Sequence, residues 1–242
     1  MYAIENRYKS YRKFQIGMNY IVKNPGIVFG LLLEHLQMTG LAVVIAIAIA
    51  LPLALLVTHY HWLSVPVLGL LGTLYTVPSL ALIILLVPIF GLNRQSVVVA
   101  MIIYTQVILV RNFSVGLQSI EPAILEAASG MGMNLWQRWW RVQVPLILPI
   151  CLAGVRLATI VAIAIAAIGA KFGAGGLGGL LFDGVSQSRN DKIWAGTIVV
   201  ALLAIVLNGI LLGLEWLSSP DRKIRQASRG KSRGSVQGSP AA

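Results

Sequence analysis

Long apolar runs alternate along the chain with short polar interruptions. Each run holds about 20 residues with almost no charge, a length that suits an α-helix crossing a hydrocarbon core about 30 Å thick. Because backbone in lipid must satisfy its own hydrogen bonds, we expect every run to be helical. The pattern therefore predicts an all-α integral membrane protein with about five transmembrane helices, at residues 36–58, 67–90, 96–117, 144–168 and 194–217.

The segment before the first predicted span has a mixed pattern. Residues 14–33 are apolar but are interrupted by Lys23, Asn24 and Pro25. We expect a helix lying in the membrane interface there, with a sixth span as the alternative. The resulting organisation is a basic, interfacial N-terminal segment at 1–33, a transmembrane domain at 34–218 and a disordered basic tail at 219–242.

Composition supports lipid as the solvent. Of the 242 residues, 57% are hydrophobic and 11% are charged, whereas soluble domains carry roughly a quarter charged residues. The net charge of +11 lies at the two ends and in the loops. That placement favours topology signals and contact with anionic membrane lipid over nucleic acid. Five spans would leave nine Lys and Arg on each side, so their count does not choose an orientation.

The reactive side chains indicate neither an enzyme nor a metal site. Cys151 lies within an apolar run, and His59 and His61 flank a tyrosine in a short loop, where we expect solvated side chains. Two imidazoles do not complete a metal site. The chain has no G-x-x-x-x-G-K-[ST] phosphate loop, so we expect no ATP binding or other cofactor in this chain.

One polar stretch, EAASGMGMNLWQRWWRVQVPLILP at 126–149, interrupts the apolar pattern between the third and fourth spans. Glu121-Pro122 is typical of a helix start. We expect a helix up to a break at Gly130 and Gly132, and then a second short amphipathic helix. Its apolar face would carry Leu135, Trp136, Trp139 and Trp140, and its polar face Asn134, Arg138 and Arg141. The geometry leaves open whether this loop lies free in the interface or docks a protein.

The same stretch resembles the signature loop of permease subunits of binding-protein-dependent ABC importers. That signature is Glu-Ala-Ala, three residues, Gly, nine residues and Ile-x-Leu-Pro. Here it reads Glu126-Ala127-Ala128, Gly132 and Val142-x-Val144-Pro145, with Val in place of Ile and Leu.

The resemblance implies a multi-pass protein of the bacterial inner membrane with this loop and the C-terminal tail in the cytoplasm. The implied partners are a cytoplasmic ATP-binding subunit that holds ATP and Mg, a second permease chain, identical or related, and an extracytoplasmic solute-binding protein. The loop would couple the chain to the ATPase through Glu126, Ala127, Ala128, Gly132, Arg138, Arg141 and Pro145.

Further stretches, including LEHLQMTGLAVVIAIAIALPLALL and GAGGLGGLLFDGV, resemble the osmoprotectant branch of these permeases, which imports glycine betaine, choline or carnitine. Methionine or sulfonate permeases are the alternative within the superfamily. An ATP-independent solute or ion channel is the alternative of a different class, and it would not need the loop.

Candidate pathway residues lie inside the predicted spans or beside them. Aromatic faces attract quaternary ammonium groups, so Tyr75 and Tyr104 are candidate lining residues, with ordinary helix packing as the alternative. Pro78 predicts a kink, either for helix shape or beside a pathway. Arg156 lies about 16 Å into the fourth span, where it would gate a pathway or form a structural pair, for example with Glu215.

The segment at 169–185 is too rich in glycine for a stable span. We interpret it, with Gly175 and Gly176, as a re-entrant or gating segment on the outer side, with a flexible loop as the alternative.

Overall fold

The computed structural model describes residues 14–219, which form helices and turns without a strand in that range. A π-helical turn, Trp139–Gln143, joins α7 to α8, and a 3-10 turn, Ala170–Phe172, follows α8. The predicted tail beyond Ser219 lies outside the described residues. The ten α-helices of the described range are α1 (residues 14–23), α2 (Pro25–His59), α3 (His61–Thr76), α4 (Ser79–Phe90), α5 (Arg94–Gln118), α6 (Pro122–Gly130), α7 (Leu135–Arg138), α8 (Val144–Gly169), α9 (Gly178–Ser186) and α10 (Asn190–Ser218).

The predicted all-α membrane architecture is confirmed. Within residues 14–219, four continuous helices are long and apolar enough to cross a membrane: α2, α5, α10 and the continuous helix at Leu135–Phe172. The pair α3 and α4 makes a fifth crossing if the two are counted as one bent span.

The second span differs from the prediction, because it is not one continuous helix. It breaks at Val77 and Pro78, and α3 and α4 meet at 97°. Pro78 has no N–H to donate, and its ring disfavours helical backbone at the preceding residue. Val77 is accordingly extended, with φ −64° and ψ 128°.

The first span begins earlier than predicted. Pro25 opens α2, as proline suits the first turn of a helix, and the helix runs through the expected boundary at 33/34 for 35 residues, roughly 52 Å. Only residues 14–23 form a separate helix. Gly17 brings that helix, α1, against α10, because a Cβ at this position would lie 2.7 Å from the Cβ of Trp194.

Helix α5 is the centre of the bundle and packs between α2 and α8. Small residues allow the close approach that membrane helices use in place of a hydrophobic driving force. Ala46, Ala50 and Ala54 of α2 are fully buried, and a Cβ at Gly154 of α8 would lie 2.6 Å from Asn112 of α5. Helices α2 and α8 therefore pack closely against α5.

We name the two ends by their connections. The loop end carries residues 119–134 between α5 and the α7–α8 helix. The glycine end carries residues 170–189 between α8 and α10. Because Gly173 lies against Leu92 and Gly176 bonds to Glu34, the start of α5 and residue 34 of α2 share the glycine end. Helix α2 then runs parallel to α5, as shown by the hydrogen bond from Gln106 Nε2 to the Ala46 carbonyl at 3.1 Å.

Candidate functional site: the loop between α5 and α8 and the interior of the spans

The first half of the loop is α6, which begins at Pro122 as predicted. Glu126 and Ala127 are exposed on it, whereas Ala128 is only 2% exposed. Ala128 therefore packs inside its own chain, and Glu126 and Ala127 are available to a partner. Sequence reasoning had grouped the three residues together, because a motif does not show which face of a helix each residue occupies.

A tight turn at Gly132 follows α6. Gly132 has φ +76°, a left-handed conformation that favours glycine. The turn is closed by the N–H of Met133, which donates to the Ala128 carbonyl at 3.2 Å, and by the N–H of Gly132, which donates to the Ser129 carbonyl at 3.0 Å. The expected break at Gly130 and Gly132 is thus an ordered turn.

Side chains fix the second half of the loop to the first. Asn134 and Gln137 form a capping box, with the Asn134 side chain accepting from the Gln137 N–H at 2.8 Å and the Gln137 side chain accepting from the Asn134 N–H at 3.0 Å. Arg138 Nη1 donates to Ser129 Oγ at 3.0 Å across the turn. Arg138 thereby ties α7 to α6, and Arg141 remains exposed.

The loop presents a large apolar surface. Trp136 and Trp140 meet edge to face with centroids 5.6 Å apart, and they are 69% and 52% exposed. Met131 and Leu135 are exposed beside them. Such a surface suits either the membrane interface or a protein partner.

The expected second short helix is not separate from the fourth span. Helix α7 continues through the π-helical turn into α8, so that residues Leu135–Phe172 form one helix of 38 residues. In the turn, the Val144 N–H donates to the Trp139 carbonyl. The π register comes directly before Pro145, which cannot donate a hydrogen bond. Pro145 was the available signal for this local change.

Arg156 forms the structural pair that was one of its two predicted roles. Its Nε lies 3.2 Å from Glu215 Oε2, and its Nη1 lies 3.4 Å from Asn208 Oδ1, so the cluster joins α8 to α10. Both charged side chains are 24% exposed. Sequence reasoning missed Asn208, whose signal was a lone amide in an apolar span.

The glycine end is pinned to α2. Gly175 and Gly176 have φ of +77° and +80°. The Gly176 N–H donates to Glu34 Oε2 at 2.9 Å, and a Cβ on Gly175 would lie 2.6 Å from the same oxygen. His35 lies fully buried against Gly176. Glu34 and His35 were missed as site residues, although a Glu-His pair opening an apolar run was a visible signal.

The two candidate tyrosines lie together beside the bend at Pro78. The Tyr75 and Tyr104 ring centroids are 5.6 Å apart with planes tilted by 59°. The candidate residues therefore fall into separate groups at the loop, the bend, the α8–α10 contact and the glycine end. Among residues 14–219, no three His, Cys, Asp or Glu side chains come together as metal ligands.

These features define a polytopic membrane protein with a rigid, exposed helical loop between two adjacent spans. The family model described as "binding-protein-dependent transport system inner membrane component" matches residues 42–221. The chain belongs to this family. It is a transport component of the inner membrane, and the family implies an ATPase and a substrate-binding protein as its partners.

Relatives agree with this membership over most of their length. The chain is 39% identical over 208 residues to the osmoprotectant import permease protein OsmW of Salmonella typhimurium, covering 84% of this chain and 97% of that protein. It is 34% identical to the carnitine transport permease protein OpuCB of Listeria monocytogenes, covering 81% of this chain and 90% of that protein. It is 34% identical to the glycine betaine/carnitine/choline transport system permease protein OpuCD of Bacillus subtilis, covering 86% and 91%.

Solved structures share the fold. An inward-facing structure of the MetNI methionine ABC transporter matches with a TM-score of 0.69 at 20% identity, covering 80% of this chain and 96% of that one. An amino acid ABC transporter with histidines matches with a TM-score of 0.62 at 22% identity, covering 82% and 95%. At these identities the likeness concerns the fold alone.

Proposed function

We propose that this chain forms the translocation pathway of an ATP-driven importer for a small osmoprotectant such as glycine betaine, choline or carnitine. The proposed substrate class rests on the relatives, since three permeases with 34–39% identity carry these solutes or osmoprotectants in their names. The fold neighbours include a methionine transporter, but at 20% identity they carry no argument about substrate.

The observation that carries the coupling mechanism is the rigid loop continuous with a span. The Gly132 turn, the capping box and the Arg138–Ser129 bond hold α6 and α7 together. Helix α7 runs without a break into α8 and through to the glycine end. An ATPase that binds at Glu126 and Ala127 and displaces α6 would therefore move α8 as a rigid body.

The loop end is cytoplasmic in this proposal, and the glycine end faces the solute-binding protein. ATP and Mg are bound by the partner ATPase, and this chain holds no cofactor. A second permease chain, identical or related, completes the pathway. Glu126, Ala127, Gly132, Arg138, Arg141 and Pro145 form or support the docking element, and Ala128 anchors it from inside.

Transport follows from the way the spans are linked. The Arg156–Glu215 pair connects α8 to α10, so that movement of α8 carries α10 with it. Beyond the C-terminal end of α8, the turn containing Gly175 and Gly176 is hydrogen-bonded to α2 through Glu34. Rocking of α8 would thereby open one end as it closes the other, which is alternating access around a central site.

Uptake in cells tests the substrate class. Labelled glycine betaine and choline would be supplied to salt-stressed cells that contain or lack the chain and have no redundant carrier. We expect uptake to be lost on deletion and restored by the intact gene. Unchanged uptake after deletion would contradict the osmoprotectant proposal, and labelled methionine and a sulfonate would then be the next substrates to test.

Co-purification tests the docking element independently of the substrate. The intact chain, extracted in detergent, should retain its ATPase partner. A chain with Ala127→Arg should lose that partner, because the larger charged side chain is placed on the exposed face of α6. Ala123→Arg, also on an exposed position of α6, is the control outside the signature. Equal retention of the ATPase by the intact chain and the Ala127→Arg chain would contradict docking through this face.

A further inference from the structure

The bend between α3 and α4 exposes broken backbone near the middle of the bundle. Tyr104, which contacts Tyr75 beside the bend, is ten residues beyond the start of α5, roughly 15 Å along a helix of 25 residues. Thr73, Tyr75, Thr76 and Pro78 are all exposed on this chain. Non-helical backbone at membrane depth is tolerated only where protein covers it or where it lines a water-filled cavity. The exposed side of the bend therefore does not face lipid.

An aromatic pair occupies this bend. The Tyr75 ring is 43% exposed, and behind it the Tyr104 ring is almost fully buried. The Tyr104 hydroxyl has no hydrogen-bond partner among the described residues. A buried tyrosine hydroxyl ordinarily finds a partner, so this unpaired oxygen beside an exposed ring indicates a place where another polar group or water is bound.

The surroundings of the two tyrosines favour an organic cation over a metal ion. No Asp, Glu, Lys or Arg occurs between His61 and Phe90, so α3 and α4 bring no fixed charge that would repel a cation or pair with it. The last carbonyl groups of α3 end at the bend and carry the negative end of that helix dipole. Aromatic faces bind quaternary ammonium groups, whereas metal cations require closely spaced oxygen ligands.

We infer that Tyr75, backed by Tyr104 at the α3–α4 bend, is a transit site that contacts the trimethylammonium group of the solute during passage through the membrane. This inference rests on the proposed function, since it assumes that the solute is a quaternary ammonium compound. It adds a contact inside the permease to the selection made by the solute-binding protein. The contact lowers the cost of moving a permanent cation through an apolar bundle.

The test uses the reconstituted importer with its ATPase and with saturating solute-binding protein loaded with glycine betaine, so that uptake reports on the permease step. We expect Tyr75→Leu to reduce the maximal rate of uptake about tenfold and Tyr75→Phe to retain most of it. Tyr60→Leu is the matched control, because Tyr60 is a tyrosine of similar exposure, 46%, that lies between α2 and α3 away from the bend. It should transport at the rate of the intact chain.

A graded variant separates the cation contact from ring packing. Phenylalanine with one, two or three fluorine atoms at position 75 keeps the ring shape but weakens the negative face stepwise. We expect uptake to fall with each added fluorine. If the intact importer takes up glycine betaine and neither Tyr75→Leu nor fluorination at position 75 changes the rate, this inference alone is overturned. Absence of glycine betaine and choline uptake by the intact, assembled importer would overturn it together with the proposed substrate class.

Discussion

Gly132 is the residue on which the shape of the loop depends most directly. A Cβ at this position would meet no atom of residues 14–219 within 4 Å, but the backbone has φ +76°. Substitution therefore acts through backbone strain, about 1–2 kcal/mol for a residue with a side chain, and not through a clash.

We expect Gly132→Ala to reduce uptake severalfold while the protein still inserts into the membrane, because the turn between α6 and α7 loses its preferred conformation. Gly130→Ala is the matched control, since a Cβ on Gly130 would likewise meet nothing in the described part of the chain within 4 Å, and the φ of Gly130 is not positive. Uptake normalised to the amount of chain in the membrane is the measurement. Equal uptake by the two variants would show that the left-handed turn is not needed for coupling.

Arg156 and Glu215 stabilise the contact between α8 and α10 as a pair. Removing one partner leaves a partly buried charge without its hydrogen bond, which costs about 2 kcal/mol. We expect Arg156→Leu to lower the thermal unfolding temperature of the detergent-solubilised chain, and Arg156→Leu with Glu215→Leu to recover part of the loss. A double variant that is as unstable as the sum of the two single variants would indicate that the side chains act independently.

At the scale of elements, the turn at the glycine end is hydrogen-bonded to α2. Gly176 bonds to Glu34 through its N–H and lies against His35. We expect Gly176→Ala to strain the turn and reduce uptake severalfold at unchanged chain level. Gly179→Ala is the control, since Gly179 has an ordinary φ and an added Cβ there would meet no described atom within 4 Å. The measurement is labelled-solute uptake by both variants. Equal uptake by the two would contradict a role for the turn that contains Gly176.

The elements also show how far the sequence could be interpreted. Apolar runs of 20 residues predicted the spans, because lipid imposes a length and forces backbone bonds inside each helix. They did not predict the 97° break at Pro78, since a proline in a span permits anything from a slight kink to a full break. The choice depends on the neighbouring helices, and α5 packs against both halves of this bend.

Among the candidate functional residues, some could likewise be identified from the sequence and others could not. The spacing from Glu126 to Pro145 identified the loop, since residue types at fixed offsets are visible in the sequence. The pairing of Gly176 with Glu34, 142 positions apart, was not visible, because it depends on how α8 and α2 pack. The burial of Ala128 and the continuity of α7 with α8 likewise depend on tertiary packing and local register.

At the scale of the whole molecule, the loop, α8, α10 and the glycine turn form one connected series of contacts from one end of the bundle to the other. A rigid loop at one end is continuous with α8, α8 is paired with α10 by Arg156, and its far end meets α2 through the pinned glycine turn. An importer needs such a path between the ATPase and the far side of the membrane. An ATP-independent channel would not need it.

The most direct test is therefore the energy dependence of transport. The chain would be reconstituted into proteoliposomes with its ATPase and solute-binding protein, and labelled glycine betaine uptake would be measured with ATP, without ATP, and with the Gly132→Ala chain. We predict accumulation above the external concentration only with ATP. For the Gly132→Ala chain we predict that ATP is still hydrolysed while accumulation is severalfold lower. Equal uptake without ATP, stopping when the inside and outside concentrations match, would contradict the account and identify a passive pathway.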